Sequence, residues 1–237
     1  RDITAQKQAE AEKERINLLL TAKARQQATV AQLGQLALLN KDISAFMDRT
    51  VALVAQALEV EFSQISEILP SGNAMLLRAG VGWHEGLIKQ ALVSFNDSLA
   101  ADTLMMKEPV ISLDLPQETR FNSPALLEEY GIISGASVPI FASDGTYGVL
   151  GVYTQHKRAF NQDDIHFLQS IANVLSGAIE KQHMETSLLI VKETLENKVV
   201  ERTAELVEMN KRLQLELEQT QRAQEKLRDS QAQFAGI

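Results

Sequence analysis

The sequence predicts an α+β fold: an antiparallel sheet with helices packed on it, flanked by long N- and C-terminal coiled-coil helices. Turn punctuation is confined to the middle, because the 12 Gly and 5 Pro fall almost entirely between Gly34 and Gly177. Within that middle, short β-rich runs joined by turn residues alternate with short helical patterns. From Leu188 a narrow apolar line runs Leu188, Val191, Leu195, Val199, Leu206, Met209, Leu213, Leu217 and Leu227 to Phe234. Its steps are largely of three and four residues, the spacing of a coiled-coil seam.

The chain opens Arg1-Asp2-Ile3-Thr4 without an initiator Met and reads as an excised segment. Residues 5–39 form an N-terminal connecting helix, with Ile16, Leu19, Leu20, Val30, Leu33 and Leu36 on a broken apolar stripe. The globular domain occupies 40–185. Asp42 caps its first helix, which buries Phe46, Val51, Val54, Ala55 and Leu58. Phe62 to Leu69 and Met75 to Val81 flank Pro70-Ser71-Gly72-Asn73, a hairpin pattern. A short helix at Glu85–Lys89 and a strand at Leu92–Phe95 follow. Asp97 or Ser98 then caps a helix to Lys107, and Val110 to Leu113 reads as a buried strand. A polar loop from Asp114 to Asn122 leads to a helix over Pro124–Tyr130. The strands Gly135–Phe141 and Tyr147–Tyr153 enclose Ser143-Asp144-Gly145, and Asp-Gly between β-rich runs signals a hairpin.

Asn161 caps a last helix whose first turn carries Asp163 and Asp164, placed well for the positive end of the helix dipole. Ile165, Leu168, Ile171, Ala172, Leu175 and Ile179 face the sheet before the pattern narrows into the seam of residues 186–229. Two consecutive four-residue steps end at Val199 and at Leu217; such stutters locally unwind a left-handed supercoil. Arg202, Thr220, Gln224 and Gln231 add polar positions to the same stretch. A helix of roughly 70 residues would extend about 100 Å, more than any single domain needs for its own core. It couples something at one end to something at the other.

Composition narrows the partners. With a net charge of −8 and no basic stripe, the chain is not expected to bind nucleic acid. No apolar run is long enough to cross a bilayer and no signal peptide opens the chain, so no membrane contact is expected and the location is read as cytoplasmic. The absence of cysteine removes disulfides, thiolate metal sites and thioether-linked chromophores. His84, His156, His166 and His183 lack a second ligand at metal spacing, so no metal site is expected. No phosphate-binding loop, Ser/His/Asp arrangement or phospho-acceptor box occurs, and the chain is read as non-catalytic.

Residues 36–185 resemble a GAF domain. The resemblance is carried, in order, by Arg78-Ala79-Gly80-Val81-Gly82-Trp83, Glu108-Pro109-Val110-Ile111, Glu118-Thr119-Arg120-Phe121, Gly148-Val149-Leu150-Gly151-Val152 and Phe160-Asn161-Gln162-Asp163-Asp164. Residues 1–4 with the helix after them resemble the exit of a PAS domain, and Ser230 to Phe234, within 230–237, the start of another. Glu201-Arg202-Thr203 resembles a signalling-helix signature. The resemblance implies a PAS–GAF–PAS array in a bacterial sensor histidine kinase of a two-component phosphorelay, or alternatively in a diguanylate cyclase. The chain would form a homodimer through parallel terminal helices, with Leu188, Val191, Leu195, Val199, Arg202, Leu206, Met209, Leu213, Leu217 and Leu227 in the dimer seam.

The family commonly binds a small molecule between the sheet and its covering helices or loops. That pocket maps here onto Trp83, Phe95, Thr103, Met106, Arg120, Phe121, Ser137 and Tyr153, although Trp83, Phe95 and Met106 suit a plain core role better. Arg120 either holds an anion bidentately or ties down its own loop. The identity of any cofactor or ligand stays open, except that a covalent bilin requires a cysteine the chain lacks. The sulfoxide-reducing relatives also depend on cysteine. Phe160, Asp163 and Asp164 echo part of a cyclic-nucleotide signature, and the same residues suit helix capping. A passive dimerising spacer with a filled pocket is the remaining alternative.

Overall fold

A computed structural model describes residues 2–40, 42–72, 74–94, 98–120, 125–143 and 145–235. The chain divides into two units, residues 1–183 and 184–237. In the first, the elements run α1 (Asp2–Leu39), α2 (Ile43–Leu58), β1 (Phe62–Ile68), β2 (Ala74–Val81), β3 (Leu92–Ser94), α3 (Leu99–Met106), β4 (Val110–Ser112), α4 (Ala125–Glu129), β5 (Ser134–Ala142), β6 (Gly145–Thr154) and the start of α5 (Gln162–Ala235). The strands form one six-stranded sheet of order β3-β2-β1-β6-β5-β4, antiparallel throughout.

Strand alternation divides the domain into two layers. On one face Ile65, Val138, Ile140, Leu150 and Val152 meet Phe46, Val54 and Leu58 of α2, Leu168, Ile171 and Leu175 of α5, and Leu33 of α1. On the other, Phe62, Leu77, Trp83 and Tyr153 lie under Leu99 of α3 and Leu127 of α4, beside a smaller cluster of Met75, Ala100, Leu104 and Val149. A β-bulge between Ile65 and Ser66 shifts the partner from Ala79 to Leu77, so that Arg78 is the extra residue.

Helix ends are fixed by side chains. Asp42 accepts hydrogen bonds from Ser44 and Ala45 N–H at 2.9 and 3.3 Å, and α2 ends at Glu59 in the left-handed region. Asn161 and Asp164 form a reciprocal capping box, each side chain accepting the other's N–H at 3.0 and 3.2 Å. Gln26 of α1 donates to Asp164 at 3.0 Å, and at the opposite end of the domain Lys181 donates to the Leu38 carbonyl at 2.7 Å. These bonds clasp α1 to the start of α5 and to its stretch near residue 181.

Two local readings differ from the sequence expectation. The short helix at Glu85–Lys89 is a 3-10 turn of Glu85–Leu87, because Lys89 takes a positive φ of 65° that no right-handed helix continues through. The loop after Asp114 holds a 3-10 turn at Leu115–Gln117, started by Pro116, whose missing N–H costs nothing in a first turn.

The second unit is helical to Ala235 as part of α5, and every residue from 184 to 226 is exposed. Leu188, Val191, Leu195, Val199, Leu206, Met209, Leu213 and Leu217 are 56–69% exposed. Arg202 pairs with Glu205 at 2.6 Å and Arg212 with Glu208 at 3.2 Å. Leu227 lies on the backbone of this helix, and its side chain falls outside the described residues. Among the described residues, no helix is long and apolar enough to cross a membrane.

Candidate functional site

The face of the sheet opposite α2 and α5 is where a pocket can form, and its floor is set by glycine. Gly135 of β5 and Gly151 of β6 leave room in which the Tyr153 ring lies: a Cβ at Gly135 would stand 2.6 Å from that ring, and one at Gly151 2.8 Å from its hydroxyl. Tyr153 is 2% exposed and meets Trp83 edge-on at 6.0 Å between centroids. Trp83 in turn packs on Phe62 at 4.9 Å and Tyr130 at 5.1 Å. The Tyr130 hydroxyl accepts the His84 N–H at 3.0 Å, while Gln155 donates to the Tyr130 carbonyl at 2.9 Å, which secures the chain just after α4.

Among the described residues, the polar groups lining the cavity on this face are uncharged. Gln64 Nε2 donates to the Tyr153 hydroxyl at 3.3 Å. Burial pushes the Tyr153 phenol well above its ordinary pKa, so it stays neutral through the physiological range. Thr103 Oγ1 donates to the Leu99 carbonyl at 2.9 Å and touches Ser137 Oγ, both side chains being fully buried. A cavity of about 20 Å³ lies between the sheet and the short helices, lined by Gln64, Ser98, Leu99, Ala100, Leu126, Leu127 and Tyr153. That is room for about one water molecule. Gln64 Oε1 is buried and has no hydrogen-bond partner among the described residues.

The structure therefore brings Trp83, Thr103, Ser137 and Tyr153 together on one face. Met106 ends α3 at the surface, 57% exposed. Arg120 sits on the loop after β4: its Nε donates to Glu118 at 3.0 Å, and one terminal nitrogen donates to the Ile111 carbonyl at 2.8 Å. The guanidinium, with backbone N–H groups of Arg120 and Thr119, holds the Glu118 carboxyl down at a pKa of about 2. Phe95 and Phe121 lie outside the described residues. Gln64, Phe62, Ser98 and Tyr130 were not among the pocket residues expected from the sequence. Two-residue alternation through Phe62, Gln64 and Ser66 would have set Gln64 on the Phe62 face.

Other concavities lie on the helical side. Arg78 and Tyr147 gather around Glu67 in a cavity of about 240 Å³ that reaches Ile179 and His183 of α5. Surface clefts of about 430 and 450 Å³ flank His166, whose ring contacts Gln162 at 3.1 Å. Among the described residues no group of three or more His, Cys, Asp or Glu side chains is placed to hold a metal ion.

Comparison with solved structures agrees with this layout. The GAF domain of an Acinetobacter phosphoenolpyruvate-protein phosphotransferase superposes with a TM-score of 0.59 at 21% identity, covering 68% of this chain and 97% of that one. The corresponding domain from Coxiella burnetii gives 0.62 at 16% identity, covering 70% and 97%. The free methionine-R-sulfoxide reductase of Neisseria meningitidis gives 0.61 at 16% identity, covering 69% and 93%. A relative by sequence, the methanogenesis regulatory histidine kinase FilI of Methanothrix harundinacea (strain 6Ac), is 27% identical over 223 residues; these span 89% of this chain and 24% of the relative's length. The GAF domain family model matches residues 40–180, the stretch that holds the whole sheet, α2 to α4 and the first turns of α5. By fold and by this match over more than half its length, the chain belongs to the GAF domain family.

Proposed function

We propose that this chain is a non-catalytic sensory and dimerising relay module of a larger signal-transduction protein, of the sensor histidine kinase type. The observation that carries the proposal is the row of exposed apolar side chains from Leu188 to Leu217, set at seam spacing. Fully burying a single leucine is worth about 1.5–3 kcal/mol, so such a row calls for a partner, and a second copy in parallel register supplies the matching seam. The likeness to a regulatory histidine kinase supports the choice of parent, and a diguanylate cyclase is the alternative. PAS-like domains on either side and a cytoplasmic location belong to the same proposal.

The mechanism is bistability. A strict heptad seam has one good packing, whereas stutters and polar positions such as Arg202 allow two of similar energy. A ligand on the sheet shifts that balance by its differential affinity for the two states. Size exclusion with light scattering tests this: the chain elutes as a dimer at tens of micromolar. A Leu195→Lys, Leu213→Lys double variant elutes as a monomer whose globular unit melts unchanged. A monomeric wild type overturns the proposal.

One observation favours a second reading, a passive dimerising spacer: Tyr153 lies over Gly135 and Gly151, leaving a cavity of only about 20 Å³. Native mass spectrometry of protein taken from cells separates the two, since a sensor retains a mass that denaturation removes. A cyclic nucleotide is disfavoured, because among the described residues no charged side chain lines that cavity and Arg120 is engaged by Glu118.

A further inference from the structure

The cavity against β1 has a definite chemical character. Among the described residues its polar lining is the Gln64 amide, the Ser98 hydroxyl and the Tyr153 phenol, and the apolar lining is Leu99, Ala100, Leu126 and Leu127. An isolated carboxylate or phosphate transferred here would lose its hydration, with no cation among the described lining residues to replace it, a penalty of several kcal/mol. Arg120, the cation on the nearby loop, is taken by Glu118 and the Ile111 carbonyl.

Gln64 supplies a specific demand as well. It belongs to a central strand, is 4% exposed, and one end of its amide is spent on Tyr153. The other end, Oε1, is buried without a protein partner among the described residues, and an unmet buried polar atom costs about 1–3 kcal/mol. A carboxamide satisfies it best, since its N–H can donate to Oε1 and its oxygen can accept the second Nε2 hydrogen, beside an uncharged body.

We infer that, given the sensory reading above, this site takes a small uncharged amide: an apolar body whose amide pairs with Gln64. The roof is Leu126 and Leu127 of α4, a helix of only five residues followed two residues on by Gly131 with φ 62°. Anything larger than a water lifts this helix. Tyr130 follows α4 directly and rests against Trp83, the one tryptophan in the sequence. Occupancy of the site is therefore reported by Trp83 emission.

The test titrates the full chain with benzamide and with benzoate, which share size and shape and differ in charge. Benzamide shifts Trp83 emission saturably and binds at least ten-fold more tightly than benzoate. Gln64→Leu loses that preference, and Gln64→Met, checked by its melting temperature, guards against misfolding. Benzoate binding as well as benzamide, an unchanged preference in both folded variants, or no saturable response to benzamide each overturns the inference. Light scattering on the same samples separates the two claims. A dimer that ignores benzamide sinks only the ligand class, and a monomer that binds it sinks only the relay.

Discussion

Glu118 and Arg120 show how one side chain decides the role of another. The sequence marked Arg120 as either an anion holder or a loop tie, and both roles need the same residue. What separates them is the position of the Glu118 carboxylate, which no spacing rule fixes. With that carboxylate held down at about 2 against an ordinary 4.5, the unfolded chain takes up the proton first as pH falls. The stability contributed by the pair is therefore full above about pH 4.5 and is lost progressively towards about pH 2. Urea midpoints of the wild type and of Glu118→Gln should differ above pH 4.5 and converge near pH 2; a gap that ignores pH across this window rejects the assignment. Gln64 was hidden for a different reason. Ser63, Ser66 and Glu67 share its strand, so nothing in β1 singles Gln64 out, and its partner Tyr153 lies 89 residues away in sequence.

Elements were more legible than contacts, because their signals are local. Asp42, Ser98 and Asn161 announce the starts of α2, α3 and α5, and each side chain accepts an N–H of the first turn. Removing the first of these should act on α2 alone: Asp42→Ala costs about 1 kcal/mol in chemical denaturation, with the sheet intact by circular dichroism. A loss under about 0.3 kcal/mol would mean that packing of Phe46 and Val54, rather than the cap, sets the helix start. The β-bulge that sets Arg78 apart could not be read, since it depends on pairing with Ser66 and Ile65. The turns at Glu85–Leu87 and Leu115–Gln117 differ from helices by one hydrogen-bond step, which residue patterns do not encode.

At the scale of the molecule, the antiparallel α+β plan and the two long helices were readable, whereas what covers the exposed apolar row from Leu188 to Leu217 was not, since the spacing of one chain does not name a partner. A lone helix with its apolar row in water is weakly supported, because most helical stability comes from packing. If residues 184–226 are held by a second copy, their melting depends on concentration, as mass action requires. Circular dichroism should show a helical transition that moves to higher temperature with each ten-fold increase in protein, while the globular unit melts at a fixed temperature. Two transitions that both ignore concentration would argue against pairing.

The sheet order also has a consequence for biosynthesis. β1 lies between β2 and β6, and its second edge is matched only when Phe62 meets Tyr153. A ribosome releasing this chain from its N-terminus delivers β1 long before β6, and for that interval a strand buried on both faces stands with one side unzipped. Premature termination before Gly148 would leave that side permanently open, and such a nascent fragment is the form of this protein most in need of a chaperone.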